Sequence, residues 1–150
     1  MNDQNLPMTI LSAEDDLDDC LLVEDAFRES GQEGNLHFVQ DGATLLQYLR
    51  REGDYTVPAI SPRPDLILLD LNMPGIDGRE SLAEIKADPD LRSIPVVVLT
   101  TSSAEEDILY TYDLGCAGYI TKPVSFQGML DVVKGLYQYW FEIVELIGRE

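Results

Sequence analysis

The sequence predicts an α/β fold, a parallel sheet covered by helices on both faces, and three observations carry that prediction. Short apolar runs alternate with longer segments of helical period, as repeated strand–helix–strand units require. Three of the candidate strands are nearly continuous Ile, Leu and Val, the composition of strands buried on both faces. Helix-stopping residues, Ser30-Gly31, Asp88-Pro89 and Gly115, punctuate the periodic segments where a strand must follow.

The candidate strands are Met8 to Ala13, Leu36 to Gln40, Asp65 to Asp70, Val96 to Thr100 and Gly118 to Thr121. After the first, Asp16 can cap a helix with an apolar side of Leu17, Cys20, Leu21, Val23 and Phe27, ended by Ser30-Gly31. Asp41 can cap the second, with Ala43, Leu45, Leu46 and Leu49 inside it. Gly53 to Pro64 carries Pro58, Pro62 and Pro64 without a period and reads as a surface loop. The third helix runs from Asp77 or Gly78 to Lys86, where Asp88-Pro89 stops it. Ser102 or Ser103 can cap the fourth, Ala104 to Leu114, which ends at Gly115. From Ser125 the apolar positions Phe126, Met129, Leu130, Val133, Leu136, Tyr137, Trp140, Ile143, Val144 and Ile147 repeat at three and four. They predict a fifth helix unbroken to about Ile147, roughly 30 Å long, with its last two turns overhanging the sheet.

The 150 residues, 45% of them hydrophobic, have the length and apolar content of one domain with a real core. Ten Lys and Arg stand against 28 Asp and Glu, a net charge of −18. Such a surface repels a phosphate backbone and an anionic membrane, which argues against nucleic-acid and membrane binding. Cys20 and Cys116 lack metal-ligand spacing and read as reduced core thiols. Met1 to Met8 has neither a basic flank nor an apolar signal core, and no apolar run approaches about 20 residues. A soluble, cytoplasmic protein is the expectation.

In an open parallel sheet, function gathers beyond the carboxyl ends of the strands. Glu14 and Asp15 follow the first strand, Asp70 closes the third, Thr100 closes the fourth and Lys122 follows the fifth, so all belong to one edge. Acids beside an apolar core call for a cation, and an oxygen-rich cluster suits Mg²⁺. The turn Leu71-Asn72-Met73-Pro74-Gly75 ends the third strand abruptly and presents Asp70 at the rim as a nucleophile able to accept a phosphoryl group. Mg²⁺, the Lys122 ammonium and the Thr100 hydroxyl would each stabilise a phosphoryl oxygen.

With Glu14-Asp15, the motif Asp70-x-Asn72-Met73-Pro74-Gly75-x-Asp77-Gly78, Thr100, Gly118-Tyr119 and Lys122-Pro123 in this order, the chain resembles the receiver domain of two-component response regulators over almost its whole length. The resemblance implies a flavodoxin-like (CheY-like) sheet of order 2-1-3-4-5 in a single receiver domain, 1–150, with a core of about 8–137 and a helix extension of about 138–147. It implies a phosphoacceptor protein, not an enzyme, that takes phosphate on Asp70 from a sensor histidine kinase and assists its own phosphorylation and dephosphorylation. It implies that Glu14, Asp15, Asp70 and the backbone carbonyl of Asn72 hold Mg²⁺, that Thr100 and Tyr119 are a switch pair, and that Asn72 and Ser102 tune loss of phosphate. Glu14 stands where many relatives carry Asp, which changes its reach to the metal. The Pro-rich loop and the aromatic tail make the chain look like the stand-alone regulators of bacterial phytochrome kinases. No output domain is expected beyond residue 150, and output is expected through a partner or another phosphotransfer.

Tyr137, Tyr139, Trp140 and Phe141 on the overhanging helix, with Tyr110, Tyr112 and Tyr119 nearby, predict an exposed aromatic face and a homodimer through the fourth helix, fifth strand and fifth helix. The phenol of Tyr119 favours an outward resting position. His37 reads as structural, and Asp18 and Asp19 as a solvated helix start favoured by the helix dipole. Two other functions compete. A Mg²⁺-dependent phosphatase of the haloacid-dehalogenase kind needs a second acid where Asn72 stands, and a flavin-binding flavodoxin needs a phosphate cradle where Glu14-Asp15-Asp16 stands.

Overall fold

Alternation of small clusters of apolar side chains between two sides of one sheet organises the molecule. The computed structural model describes residues 9–31 and 35–143, apart from the side chains of residue 35 and of 141–143. Its strands are β1 (Thr9–Ala13), β2 (Asn35–Val39), β3 (Leu66–Leu69), β4 (Val96–Thr100) and β5 (Gly118–Thr121). Its helices are α1 (Leu17–Glu29), α2 (Gly42–Arg50), α3 (Gly78–Ala87), α4 (Glu105–Leu114) and α5 (Phe126–Tyr137). All strand pairs are parallel and the order is β2-β1-β3-β4-β5, as expected.

Ile10, Leu66, Leu68, Val97 and Leu99 pack with Val23, Phe27, Met129 and Val133 of α1 and α5. Their strand neighbours Leu11, Ile67, Leu69, Val96 and Val98 pack with Leu45, Leu49, Leu82 and Ile85 of α2 and α3. Side chains of period two thus feed two cores, which explains why these strands read as unbroken apolar runs. The chain leaves β1 for β2 on one side and β3 on the other. That reversal opens a crevice at the carboxyl ends of β1 and β3, just where Glu14 and Asp70 stand.

Four helix starts follow the sequence. Asp16 accepts from Asp18 N (2.9 Å), Asp41 from Thr44 N (2.7 Å), Asp77 from Arg79 N (2.9 Å) and Ser125 from Gly128 N (3.0 Å). The start of α4 differs: the helix begins at Glu105, and Ala104 at its cap position offers no side-chain bond. Ser102 is not the cap, because its hydroxyl donates to Asp107 Oδ2 at 2.7 Å.

The strand bounds also shift, with Asp65 and Asp70 just outside β3 and Met8 beyond the described residues. The unbroken fifth helix is corrected as well. α5 ends at Tyr137 and continues as a wider π-turn, Gln138–Ile143. Gly135 lies in the last α-turn, where the absence of a side chain weakens helix preference, and Trp140 returns to pack partly against the α1–α5 core. Val144 and Ile147 lie outside the described residues.

Candidate functional site

Strand register places the acids. Glu14 N–H donates to Val39 O (2.9 Å) and Asp70 N–H to Ala13 O (3.0 Å), so the backbone continues the ladder by one bond on either side of β1. Their side chains then meet over the crevice, 4% and 5% exposed respectively. Oxygens of Glu14, Asp15 and Asp70 lie within 4.8 Å of one another, Asp15 being the exposed member.

The turn after β3 is shaped to hold Asp70. Gly75 has φ +70°, a left-handed conformation that glycine adopts without strain. At Gly78 a Cβ would sit 2.2 Å from Asp70 O, so the start of α3 can press on the Asp70 backbone only as glycine. Asn72 N–H reaches Asp70 Oδ1 at 3.2 Å.

Asp70 Oδ1 also accepts from the fully buried Thr100 hydroxyl at 2.8 Å, and Oδ2 contacts Lys122 Nζ at 3.2 Å. The Lys122 ammonium is ion-paired to Glu14 and to Asp19 as well, the latter at 2.7 Å. Burial pushes the Glu14 carboxyl up to about 7, against the hydrogen bond from Lys122. Burial disfavours the Lys122 charge, but hydrogen bonds to Asp19 and Glu14 and the charge of Asp70 outweigh it and raise its pKa. Cys20 Sγ lies beneath, 3.6 Å from Glu14 O, and burial with the charges of Glu14 and Asp19 pushes its thiol up to about 11. It is an inert core thiol.

The structure thus joins Glu14, Asp15, Asp70, Thr100 and Lys122, as the sequence predicted. Asp19 was missed as a site residue: its Lys122 partner lies 103 positions away, and only its place one turn into α1, on the same side as the cap, pointed towards the crevice. Arg79, Ser102 and Asp107 form a further polar group beside the site. Tyr119 is not outward. Its ring is partly buried against the α2–α3 core and its hydroxyl donates to Ser102 O at 2.9 Å, a buried-side partner that satisfies the phenol.

The expected aromatic face divides. Tyr110, Tyr112 and Tyr139 are exposed, whereas Tyr137 and Trp140 pack partly on the α1–α5 core. The Phe141 side chain lies outside the described residues. Tyr112, Tyr119, Ile120, Val132, Leu136 and Trp140 line a groove of about 450 Å³ along β5 between α4 and α5. His37 is half-buried beside the Tyr48 ring, its Nε2 is buried without a hydrogen-bond partner, and burial lowers its pKa.

An open parallel sheet with an acidic cluster, a buried hydroxyl and a lysine at its carboxyl edge defines a class that the comparisons make specific. Residues 10–134 match the response regulator receiver domain, and the chain belongs to that family. It is 43% identical over 145 residues to response regulator Rcp1 of Synechocystis sp., covering 97% of each chain. The structure of a phosphorylated cyanobacterial phytochrome response regulator, RcpA, is 44% identical with a TM-score of 0.87, covering 95% of this chain and all of that one (100%). The Mn²⁺-bound form of Rcp1 is likewise 44% identical, with a TM-score of 0.83 over 93% of this chain and 99% of that one. Family membership leaves the haloacid-dehalogenase alternative without support. Among the described residues no helix is long and apolar enough to cross a membrane.

Proposed function

We propose that this response regulator accepts a phosphoryl group on Asp70 from the phosphohistidine of a sensor kinase. The observation that carries the reading is the set of contacts on one carboxylate: Thr100 Oγ1 on Oδ1, Lys122 Nζ on Oδ2, and the oxygens of Glu14 and Asp15 within 4.8 Å. An Asp70 oxygen forms the new P–O bond as the P–N bond breaks, and the electron pair returns to the imidazole. The protein is a phosphoacceptor, not an enzyme that turns over a separate substrate.

The donor set fits a hard divalent cation, with Glu14, Asp15, Asp70 and, by family resemblance, the Asn72 carbonyl to hold Mg²⁺. When bound, the cation supplies neutralisation of the charge that gathers as phosphate approaches the carboxylates. Lys122 has three N–H donors and three carboxylate partners. Phosphorylation of Asp70 removes the longest of these contacts and frees that donor for a phosphoryl oxygen. The Thr100 hydroxyl, already on Asp70, needs only to swing to the same group. Thr100 and Tyr119 form the switch pair, and Asn72 and Ser102 bear on phosphate lifetime.

The cognate kinase is of phytochrome type, a reading supported by the relatives named as phytochrome response regulators. A homodimer through α4, β5 and α5 and a cytoplasmic place of action belong to the same proposal. The test is incubation with Mg²⁺ and acetyl phosphate followed by intact mass. One added phosphoryl group on the native chain and none on Asp70→Asn is the expected result. Persistent single phosphorylation of both would overturn the assignment.

A further inference from the structure

Beside the acceptor carboxylate, a polar construction joins five pieces of the chain. Arg79, the second residue of α3, makes a two-pronged ion pair to Asp107, Nε to Oδ1 and Nη2 to Oδ2, both at 2.7 Å. Its Nη1 reaches Leu71 O at 3.4 Å and Asp77 Oδ2 at 3.5 Å, in the turn that follows Asp70. Ser102 donates to the same Asp107 Oδ2 at 2.7 Å and accepts from Ala104 N at 3.3 Å. Ser102 O in turn receives the Tyr119 hydroxyl, and Ser102 N–H points to Thr100 Oγ1 at 3.5 Å. Thr100 completes the chain at Asp70.

Two features say that this group is more than surface decoration. A cation in the first turn of a helix opposes the helix dipole, so Arg79 is locally unfavourable and its placement needs a distant reason. The Asp107 side chain is only 13% exposed and the pair is bidentate, the geometry in which charge-assisted bonds count for most. Arg79 and then Ser102 hold the Asp107 carboxyl down to about 2, so the pair is intact throughout the neutral range.

We propose that Arg79 is a positioning residue that clamps the start of α4 to the turn after Asp70. By fixing Asp107 and Ser102, the clamp keeps Tyr119 against the Ser102 carbonyl and the Thr100 hydroxyl on Asp70. Its effect on phosphorylation rests on the reading of Asp70 as the acceptor; its effect on Tyr119 does not.

Two measurements separate these. In protein labelled with fluorotyrosine, the Tyr119 fluorine resonance, identified by its loss in Tyr119→Phe, shifts or splits in Arg79→Ala and in the isosteric Asp107→Asn. An unchanged Tyr119 signal in both variants overturns the proposal, whatever Asp70 does. With acetyl phosphate and Mg²⁺, Arg79→Ala and Asp107→Ala each slow phosphorylation about 3–10-fold, and the double variant is no slower than either, because one clamp has been opened once. Arg50→Ala, which breaks the α2–α3 pair to Glu84 (3.3 Å), leaves the rate unchanged. Additive losses in the double variant, or an equal loss in Arg50→Ala, reduce Arg79 to a general stabiliser and sink the clamp. A native chain that takes no phosphate ends the Asp70 reading and leaves the fluorine measurement to decide the clamp.

Discussion

Glu14 keeps 4% of its surface exposed while its carboxylate shares one ammonium, that of Lys122, with Asp19 and Asp70. Burial in the crevice makes the Glu14 carboxyl hold its proton up to about 7, with the charge of Asp70 adding to the effect and the Lys122 hydrogen bond opposing it. Its ordinary value is 4.5, so between 4.5 and about 7 the folded state binds more protons than the unfolded chain. The sign follows: without divalent cation, stability falls as pH rises through that window. Mg²⁺ competes for the deprotonated form, so it should raise the thermal midpoint more above pH 7 than near pH 4.5. Glu14→Gln should flatten both dependences. Thermal melts at several pH values, with Mg²⁺ and with a chelator, check this; an unchanged pH slope in the variant would remove Glu14 from the cation site.

Two glycines show how element geometry serves the site. Gly78 opens α3 with its N–H on Leu71 O (3.0 Å) and has no room for a Cβ, which would lie 2.2 Å from Asp70 O and 2.6 Å from Leu71 Cα. Gly135 in α5 has nothing within 4 Å of the same position. Gly78→Ala should therefore destabilise by about 2 kcal/mol or more through backbone displacement, and Gly135→Ala should stabilise by about 0.5–1 kcal/mol through helix propensity. Denaturant unfolding of the two variants gives the answer, and a stable Gly78→Ala would mean that α3 does not press on the Asp70 backbone. The same elements show what was legible in the chain. Strands β3 and β4 were readable because both faces are buried and every position before the closing Thr100 is apolar. Asp16, Asp41, Asp77 and Ser125 were readable as caps because a cap bond is local, two or three residues long. The start of α4 was not, because Ser102 spends its hydroxyl on the Asp107 side chain and its carbonyl on Tyr119 instead of capping a backbone N–H of the first turn. Asp19 and Arg79 escaped for the same reason: each looks like an ordinary first-turn residue until a partner 103 or 28 positions away is brought beside it.

For the molecule as a whole, the groove along β5 and the net charge of −18 pull in opposite directions. β5 is an edge strand, flanked by the exposed rings of Tyr110 and Tyr112 on α4 and Tyr139 beyond α5, and aromatic area of this kind favours burial against a partner. A second copy offers the matching face by two-fold symmetry, but it also brings an equal negative charge. Repulsion between the two copies is long-ranged and screened by salt, with a Debye length of about 10 Å at 0.1 M and about 3 Å at 1 M, whereas apolar contact is not. The proposed dimer should therefore tighten as salt is raised, the reverse of an association driven by ion pairs. Tyr112→Glu places a further charge in the groove and should weaken it by at least about tenfold, since a buried unpaired carboxylate is costly. Sedimentation equilibrium at low and high salt, with and without an acyl-phosphate mimic, reads both effects. A monomer at high micromolar concentration under all four conditions would remove the dimer, and a dimer that weakens with salt would move it to another face.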